Sequence, residues 1–275
     1  MRIAVCFSGM VRTANYVTPN LLNYFGDLLP NIDFFMHTWD VTQHKQYTQG
    51  AMGVLSHNYR QCPMEPSYPI VCTITNDYKN FKKIKIESYS VHCQSYVRFP
   101  LWYSWAKSIE LAKEYEKEYN FTYDVVLKMR PEMIFPAKST LQQEIDNFLI
   151  NPEIFYVMGG DDTRLNDVYF LSSSLNMSTA TNIIHNTTHW KNNEFNMHLL
   201  SNNIKYSQVY RPAYAIYREE CVGVSPMDWL GCHVVETYYY SPKETFEIYC
   251  RQQNFLTKFV ELYEFLMKKT KNEIN

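Results

Sequence analysis

Glycine is scarce in this chain, with eight residues in 275. That excludes collagen-like and Gly-repeat architectures and glycine-rich linkers. Long apolar runs are missing as well. None approaches the ~18 residues that a membrane-spanning helix needs. The first apolar stretch, Ile3–Phe7, stops at Ser8-Gly9. It falls short of the roughly 7–15 residues of a secretory h-region, so no signal peptide is expected. No charge of one sign prevails: 26 Lys and Arg stand against 28 Asp and Glu, for a formal net charge of -2. A nucleic-acid partner is therefore not expected, since phosphate polymers are met by a basic face. The lysines at 79–85 and 268–271 read as solvated surface. No Cys-x-x-Cys occurs. Cys6, Cys62, Cys72, Cys93, Cys221, Cys232 and Cys250 are dispersed and odd in number. They read as free thiols in a reducing compartment, neither a disulfide framework nor a zinc site. The sequons at Asn120, Asn176 and Asn186 are then incidental. Two nucleotide signatures are also missing. No GxGxxG follows the first apolar run, and no GxxxxGK[ST] occurs anywhere.

What is present is a core. Hydrophobic residues make up 46% of the chain and aromatics 16%, including 23 Tyr and 16 Phe. Such a chain folds and lines its clefts with rings. Residues 2–8 form an apolar run suited to a strand buried on both faces. Residues 18–29 read as a helix, with Thr18 as cap, Pro19 in the first turn and Leu21, Leu22, Phe25, Leu28 and Leu29 on one face. A second apolar run, Ile32–Thr38, ends at Trp39. Strand, helix and strand at this spacing predict a βαβ unit with parallel strands.

Residues 40–80 read as irregular, with a short strand at Ile70–Ile74, and residues 84–90 as another strand. A helix is predicted over 101–119 with Trp102, Trp105, Ile109 and Ala112 inward. Residues 123–129 form the third strong strand and run into Arg130-Pro131-Glu132, where Pro131 ends the ladder. Strands at 153–158 and 167–172 flank the turn signal Gly159-Gly160-Asp161-Asp162. Helices near 175–187 and 192–202 follow, then an aromatic strand at Tyr210–Tyr217. Residues 245–271 read as an amphipathic helix carrying Phe255, Phe259, Leu262 and Leu266 on one face.

Ligands of open parallel sheets bind outside the carboxyl ends of the strands. Three sets of residues fall there: Ser8, Gly9 and Arg12; His37, Trp39 and Asp40; Arg130 and Glu132. Ser8-Gly9 allows close backbone approach, and Arg12 offers a fork for a phosphate. The alternative is a plain turn with a surface arginine. His37 and Trp39 suit the wall against a nucleobase. The alternative there is a core tryptophan beside a satisfied buried imidazole. His185 and His189 stand four apart but lack a third ligand in register, and read as surface histidines.

Ile3–Gly9 with Arg12, then Asp33–Trp39, then Tyr123–Glu132 together resemble the virus- and phage-encoded glycosyltransferase-like proteins of GT-A type. The resemblance covers residues 2–135 and continues at Asn166-Asp167 and at Glu194. Nothing is recognised from 218 onward. The fold it implies is α/β: a Rossmann-type, mostly parallel sheet flanked by helices, with a helical C-terminal part. One domain over 1–275 is expected, with a nucleotide-binding half at 1–135, an acceptor half at 136–240 and a helical segment at 241–275.

The activity implied is transfer of a sugar from a nucleotide-diphosphate-sugar donor to a hydroxyl of a glycan or other acceptor. Ser8, Gly9, Arg12, His37, Trp39 and Arg130 would bind the donor. In the family an acidic residue holds a divalent cation, Mn²⁺ or Mg²⁺, on the diphosphate. Its counterpart is Glu132, one methylene longer than the family's Asp, which shifts diphosphate charge toward Arg130. Asp161, Asp162, Asp167 and Glu194 are candidates for the carboxylate that deprotonates the acceptor, with Asp167 and Glu194 matching the family. The expected setting is cytoplasmic, the host cytoplasm for a viral protein. The alternative function is a catalytically degenerate nucleotide- or glycan-binding module.

Overall fold

The computed structural model describes residues 1–11, 14–42, 66–90, 100–135, 140–158, 160–161, 164–165, 168–186, 194–209 and 215–216. The elements are β1 (Ile3–Ser8), α1 (Ala14–Phe25), β2 (Ile32–Trp39), α2 (Tyr68–Tyr78), β3 (Phe81–Glu87), α3 (Pro100–Tyr119), β4 (Val125–Met129), β5 (Met133–Ile134) and α4 (Leu141–Ile150). They continue as β6 (Phe155–Met158), β7 (Gly160–Asp161), β8 (Arg164–Leu165), β9 (Tyr169–Ser172), α5 (Ser174–Thr181), α6 (Ile183–Asn186), α7 (Glu194–Ser201), β10 (Tyr206–Val209) and β11 (Ala215–Ile216).

Seven strands form one sheet in the order β10-β6-β9-β4-β1-β2-β3. β1 pairs parallel with both β2 and β4, β2 with β3, and β6 with β10. Only β9 is reversed, lying antiparallel between β4 and β6. The sheet is thus mostly parallel and flanked by helices, as expected. β1 and β4 are buried at every position, which is why both read as unbroken apolar runs. β3 is an edge strand. It alternates instead, and its Lys82, Lys83 and Lys85 discourage pairing with another chain.

The pleat divides the core. Ile3, Val5 and Phe7 face Val17, Leu21, Val71, Ile74 and Phe148 from α1, α2 and α4. Ala4 and Cys6 face Trp102, Trp105, Met177 and Phe195 from α3, α5 and α7. Among the described residues, Cys6 and Cys72 are free thiols, and no helix is long and apolar enough to cross a membrane.

Three expectations need correction. The first helix runs from Ala14 to Phe25. Thr18 is not its cap but donates back to the Ala14 carbonyl at 2.9 Å, inside the helix. The segment around Ile70–Ile74 is helical. Val71, Ile74 and Tyr78 recur at helical spacing on a buried face, Pro69 sits in the first turn, and Lys79 closes the end at φ 60. Packing on the sheet thus overrides the strand preference of β-branched residues. The strand placed at 84–90 spans Phe81–Glu87. Near the predicted strand at 210–217 lie β10 and the short β11, while residues 210–214 and 217 are outside the described residues. The helix predicted at 245–271 is outside them as well.

Candidate functional site

The chain leaves β1 in one direction through β2 to β3, then returns to place β4 on the other side of β1. Strand order reverses between β1 and β4. In open α/β sheets, the crevice outside the carboxyl ends at such a reversal is where ligands bind. Register brings the expected residues to this edge. Ser8 pairs with His37, Phe7 with Met129, and Trp39 with Glu87. Ser8-Gly9 therefore borders the crevice from β1, and Arg130-Pro131-Glu132 from β4. Because β9 is antiparallel, its first residue Tyr169 meets Met129, the last of β4. β9 thus begins at this same edge, and β6 ends there before the short β7–β8 hairpin.

The two walls are anchored by different helices. On the β1 side, Gly9 adopts φ +109, a conformation that side chains resist. Among the described residues a Cβ there would meet only Leu101, at 3.9 Å, so backbone angle demands the glycine. The Gly9 N–H donates to Ser104 Oγ of α3 at 2.7 Å, which makes Gly9 a turn residue and commits its amide. Ser104 Oγ lies 3.0 Å from the His37 carbonyl and 2.9 Å from His37 Nδ1. His37 Nε2 lies 2.8 Å from Glu87 Oε2, and Lys85 pairs with Glu87 Oε1 at 2.8 Å. Neighbouring Ser8 is buried, and its Oγ has no hydrogen-bond partner among the described residues.

Charge in this row follows from its surroundings. Burial lowers the His37 pKa to about 4, against the opposing pull of Glu87. The imidazole is neutral at pH 7. Burial alone would raise the Glu87 carboxyl, but hydrogen bonds from Lys85, His37 and Tyr103 hold it down to about 2. A carboxylate only accepts, so Nε2 carries the imidazole proton and the bare Nδ1 faces the Ser104 hydroxyl. Ser104, His37 and Glu87 thus have the contacts of a nucleophile triad but not its access. Ser104 and His37 are buried, and three groups of Gly9 and His37 crowd the Ser104 oxygen.

Trp39 is 1% exposed, stacked on Tyr103 and edge-on to Tyr89, with His37 edge-on to its ring. Tyr89 and Tyr103 are half-exposed and are the outer rings of this cluster.

On the β4 side, Arg130 and Glu132 are both buried. Arg130 donates through Nε at 3.1 Å and Nη2 at 2.6 Å to Glu132 Oε1. Asn20 of α1 fixes the chain beyond: it donates to the Phe135 carbonyl at 2.9 Å and accepts the Phe135 N–H at 2.7 Å. Among the described residues, no three His, Cys, Asp or Glu cluster as metal ligands. The described residues alone therefore do not compose a metal centre.

Of the expected residues, Ser8, Gly9, His37, Trp39, Arg130 and Glu132 share one sheet edge. Asp40 lies there too, exposed, and accepts the Tyr89 N–H at 2.9 Å. Glu194 opens α7, and Asp161 ends β7. Arg12, Asp162, Asp167 and His189 lie outside the described residues. Sequence reasoning missed Ser104, Glu87 and Tyr103. It also gave no role to Lys128, buried on β4 with Nζ 5.0 Å from the Phe170 ring centre. Ser104 had one signal, a small polar residue on the inward stripe of a helix between Trp102 and Trp105.

No protein-family model matches the chain, and no curated protein matches it. Among solved structures it is similar to a cytidylyltransferase from Leptospira borgpetersenii, at 10% identity and TM-score 0.43 over 98% of this chain and 96% of that one. It is similar to a nucleoside-diphosphate-sugar pyrophosphorylase from Vibrio cholerae, at 10% identity and TM-score 0.38 over 78% of this chain and 94% of that one. It is also similar to mouse xyloside xylosyltransferase 1, at 7% identity and TM-score 0.38 over 76% of this chain and 84% of that one. All three scores lie below 0.5, so a function for this chain has to be drawn from its own residues.

Proposed function

We propose that the chain is a glycosyltransferase that moves a sugar from a nucleotide-diphosphate-sugar donor to a hydroxyl acceptor. The observation that carries this reading is the strand-order reversal between β1 and β4, with Ser8-Gly9 on one side and Arg130-Pro131-Glu132 on the other. The motif resemblance of residues 2–135 assigns its donor site to those same segments. In this reading the diphosphate lies across the crevice, with Arg12 and Arg130 meeting its charge. The tyrosines beside Trp39 stand toward the base. Asp167, two positions before the first residue of β9 in the sequence, takes the acceptor proton, and Glu194 binds a hydroxyl of acceptor or donor sugar. The acceptor oxygen bonds to the anomeric carbon as the bond to the nucleoside diphosphate breaks.

A divalent cation, if bound, would neutralise the leaving diphosphate. Glu132 is the carboxylate that the resemblance assigns to it, and Arg130 already neutralises that carboxylate in part. This pairing also favours a second reading, a binding module that keeps the donor site without transfer.

A thermal-shift panel of nucleoside diphosphates and nucleotide sugars, with and without Mn²⁺, tests both readings. Stabilisation by one nucleoside diphosphate together with release of sugar from its nucleotide sugar is expected. Stabilisation without sugar release selects the binding module. No stabilisation by any of them overturns both.

A further inference from the structure

We propose that Ser104 is a positioning residue for the turn after β1, kept in one hydrogen-bonding direction by Glu87 acting through His37. The inference rests on the donor reading only in what the turn is positioned to meet.

Ser104 Oγ has one proton and two lone pairs. The Gly9 N–H, 2.7 Å away, needs a lone pair. The hydroxyl proton then has to leave on the other side, toward His37 Nδ1 or the His37 carbonyl, both about as close. A bare Nδ1 draws that proton to its own side and leaves both lone pairs of the oxygen free for Gly9. Glu87 ensures this, because its ionised carboxylate takes the single imidazole proton at Nε2. Lys85, on the far side of Glu87, keeps that carboxylate charged. Reversing the imidazole would point Nδ1–H at Ser104, occupy the second lone pair of its oxygen and leave the hydroxyl proton only the His37 carbonyl. The direction of the row is therefore set at Glu87 on β3 and expressed at Gly9 on β1.

A glycine at φ +109 has many alternatives in an unliganded loop. One fixed acceptor on α3 removes them before a ligand arrives, which lowers the ordering cost of binding. Ser104 touches no reacting atom in this account; it acts through the turn.

The test uses the full chain with His37 and Gly9 observed by ¹⁵N NMR, and with UDP and GDP as separate probes in calorimetry. Wild type should show Nε2 protonated and Nδ1 bare at pH 7.5. Ser104→Ala should shift the Gly9 amide signal and weaken binding of the accepted diphosphate about 3–10-fold, the size of one hydrogen bond. Ser104→Thr, which keeps the hydroxyl, should restore both.

Glu87→Gln can point either amide atom at Nε2. It should give mixed His37 signals and a smaller loss of affinity, and the double variant should bind no more weakly than Ser104→Ala alone. Nδ1 protonated in wild type overturns the proposal, as does an unmoved Gly9 signal in Ser104→Ala or losses that multiply in the double variant. If Ser104→Ala does not fold, the His37 and Gly9 signals of Glu87→Gln decide. If wild type binds neither probe nor any other nucleoside diphosphate, the donor reading falls, and the same NMR signals still decide the hydrogen-bond row.

Discussion

The two edges of the sheet use polar residues differently. At the amino edge they tie neighbours together. The Arg2 N–H donates to Asp124 Oδ2 at 2.7 Å, and Tyr123 Oη donates to Asp33 Oδ2 at 2.7 Å. Lys82 adds an ion pair to Asp33 at 3.3 Å. Glu116 accepts from the Tyr123 N–H and from Ser174. The carboxyl edge instead holds a glycine at φ +109, a neutral buried histidine, a buried Arg–Glu pair and a Ser8 hydroxyl that is unpaired among the described residues. Buried ion pairs and strained turns contribute little to stability and often cost it. Their concentration at the edge with the strand-order reversal is why we propose the ligand site there.

The sharpest way to break this contrast is Asp167→Asn. As the proposed general base, Asp167 would act chiefly in the transition state. The substitution should lower kcat about 10²–10⁴-fold with donor binding nearly intact. Steady-state kinetics with donor and acceptor check it, and near-wild-type turnover moves the role to Glu194 or Asp162. Product that keeps the donor's anomeric configuration removes the role altogether.

Next in size is Arg130→Met. It strips the guanidinium from a buried carboxylate, a change that costs about 3–5 kcal/mol when a buried pair is broken on one side. Urea unfolding measures it. Arg130→Met with Glu132→Leu should recover most of the loss, since neither charge of the pair is then left buried without the other. A cost below about 1 kcal/mol would put the pair on a par with surface ion pairs and erase the difference between the edges.

These residues were unevenly legible. β1, β2 and β4 are central strands buried on both faces, so each reads as an apolar run whose last residues stand at the carboxyl edge. Ser8, Gly9, His37, Arg130 and Glu132 were found for that reason. α2 was not, because its buried stripe is built from Val71 and Ile74 within a polar, proline-containing stretch. Ser104 and Glu87 were missed for another reason. Ser104 breaks no helical pattern, and Glu87 stands where an alternating edge strand presents its polar face. Their roles exist only once β3 pairs with β2 and α3 crosses both, and that is a property of topology, not of local pattern.

The His37–Glu87 pair makes the contrast depend on pH. The folded pKa of His37 lies near 4, below its ordinary 6.5, so the unfolded chain takes up the proton first. The resulting stability is present above pH 6.5 and is lost as pH falls toward 4, on the order of 3 kcal/mol. Glu87, held near 2 against an ordinary 4.5, adds a second loss on further acidification. Denaturant unfolding at pH 7.5, 6 and 5 should show the first decline in wild type. His37→Gln, though less stable at pH 7.5, should lack that part of the slope. Equal slopes in both proteins would mean that His37 is not held neutral by the fold.

The smallest effect belongs to the amino edge. Tyr123→Phe deletes the hydrogen bond to Asp33 and little else, because the ring stays packed edge-on against Phe35 and Phe121. Asp33 keeps its ion pair with Lys82 and is part-exposed, so water can replace the lost donor. The expected cost is about 1–2 kcal/mol, the range for one hydrogen bond to a charged acceptor with a solvated alternative. Val125, two residues on, pairs with Ile3 at the start of β1, whereas Ser8-Gly9 follows its far end. The length of the sheet thus separates this bond from the crevice. Nucleoside-diphosphate affinity should stay within about twofold of wild type, because distant sites with no shared partner behave additively. Unfolding and calorimetry on the same preparation read both quantities. A fall in affinity larger than the fall in stability would show that the amino edge also shapes the ligand site, and the two edges would then differ in degree rather than in kind.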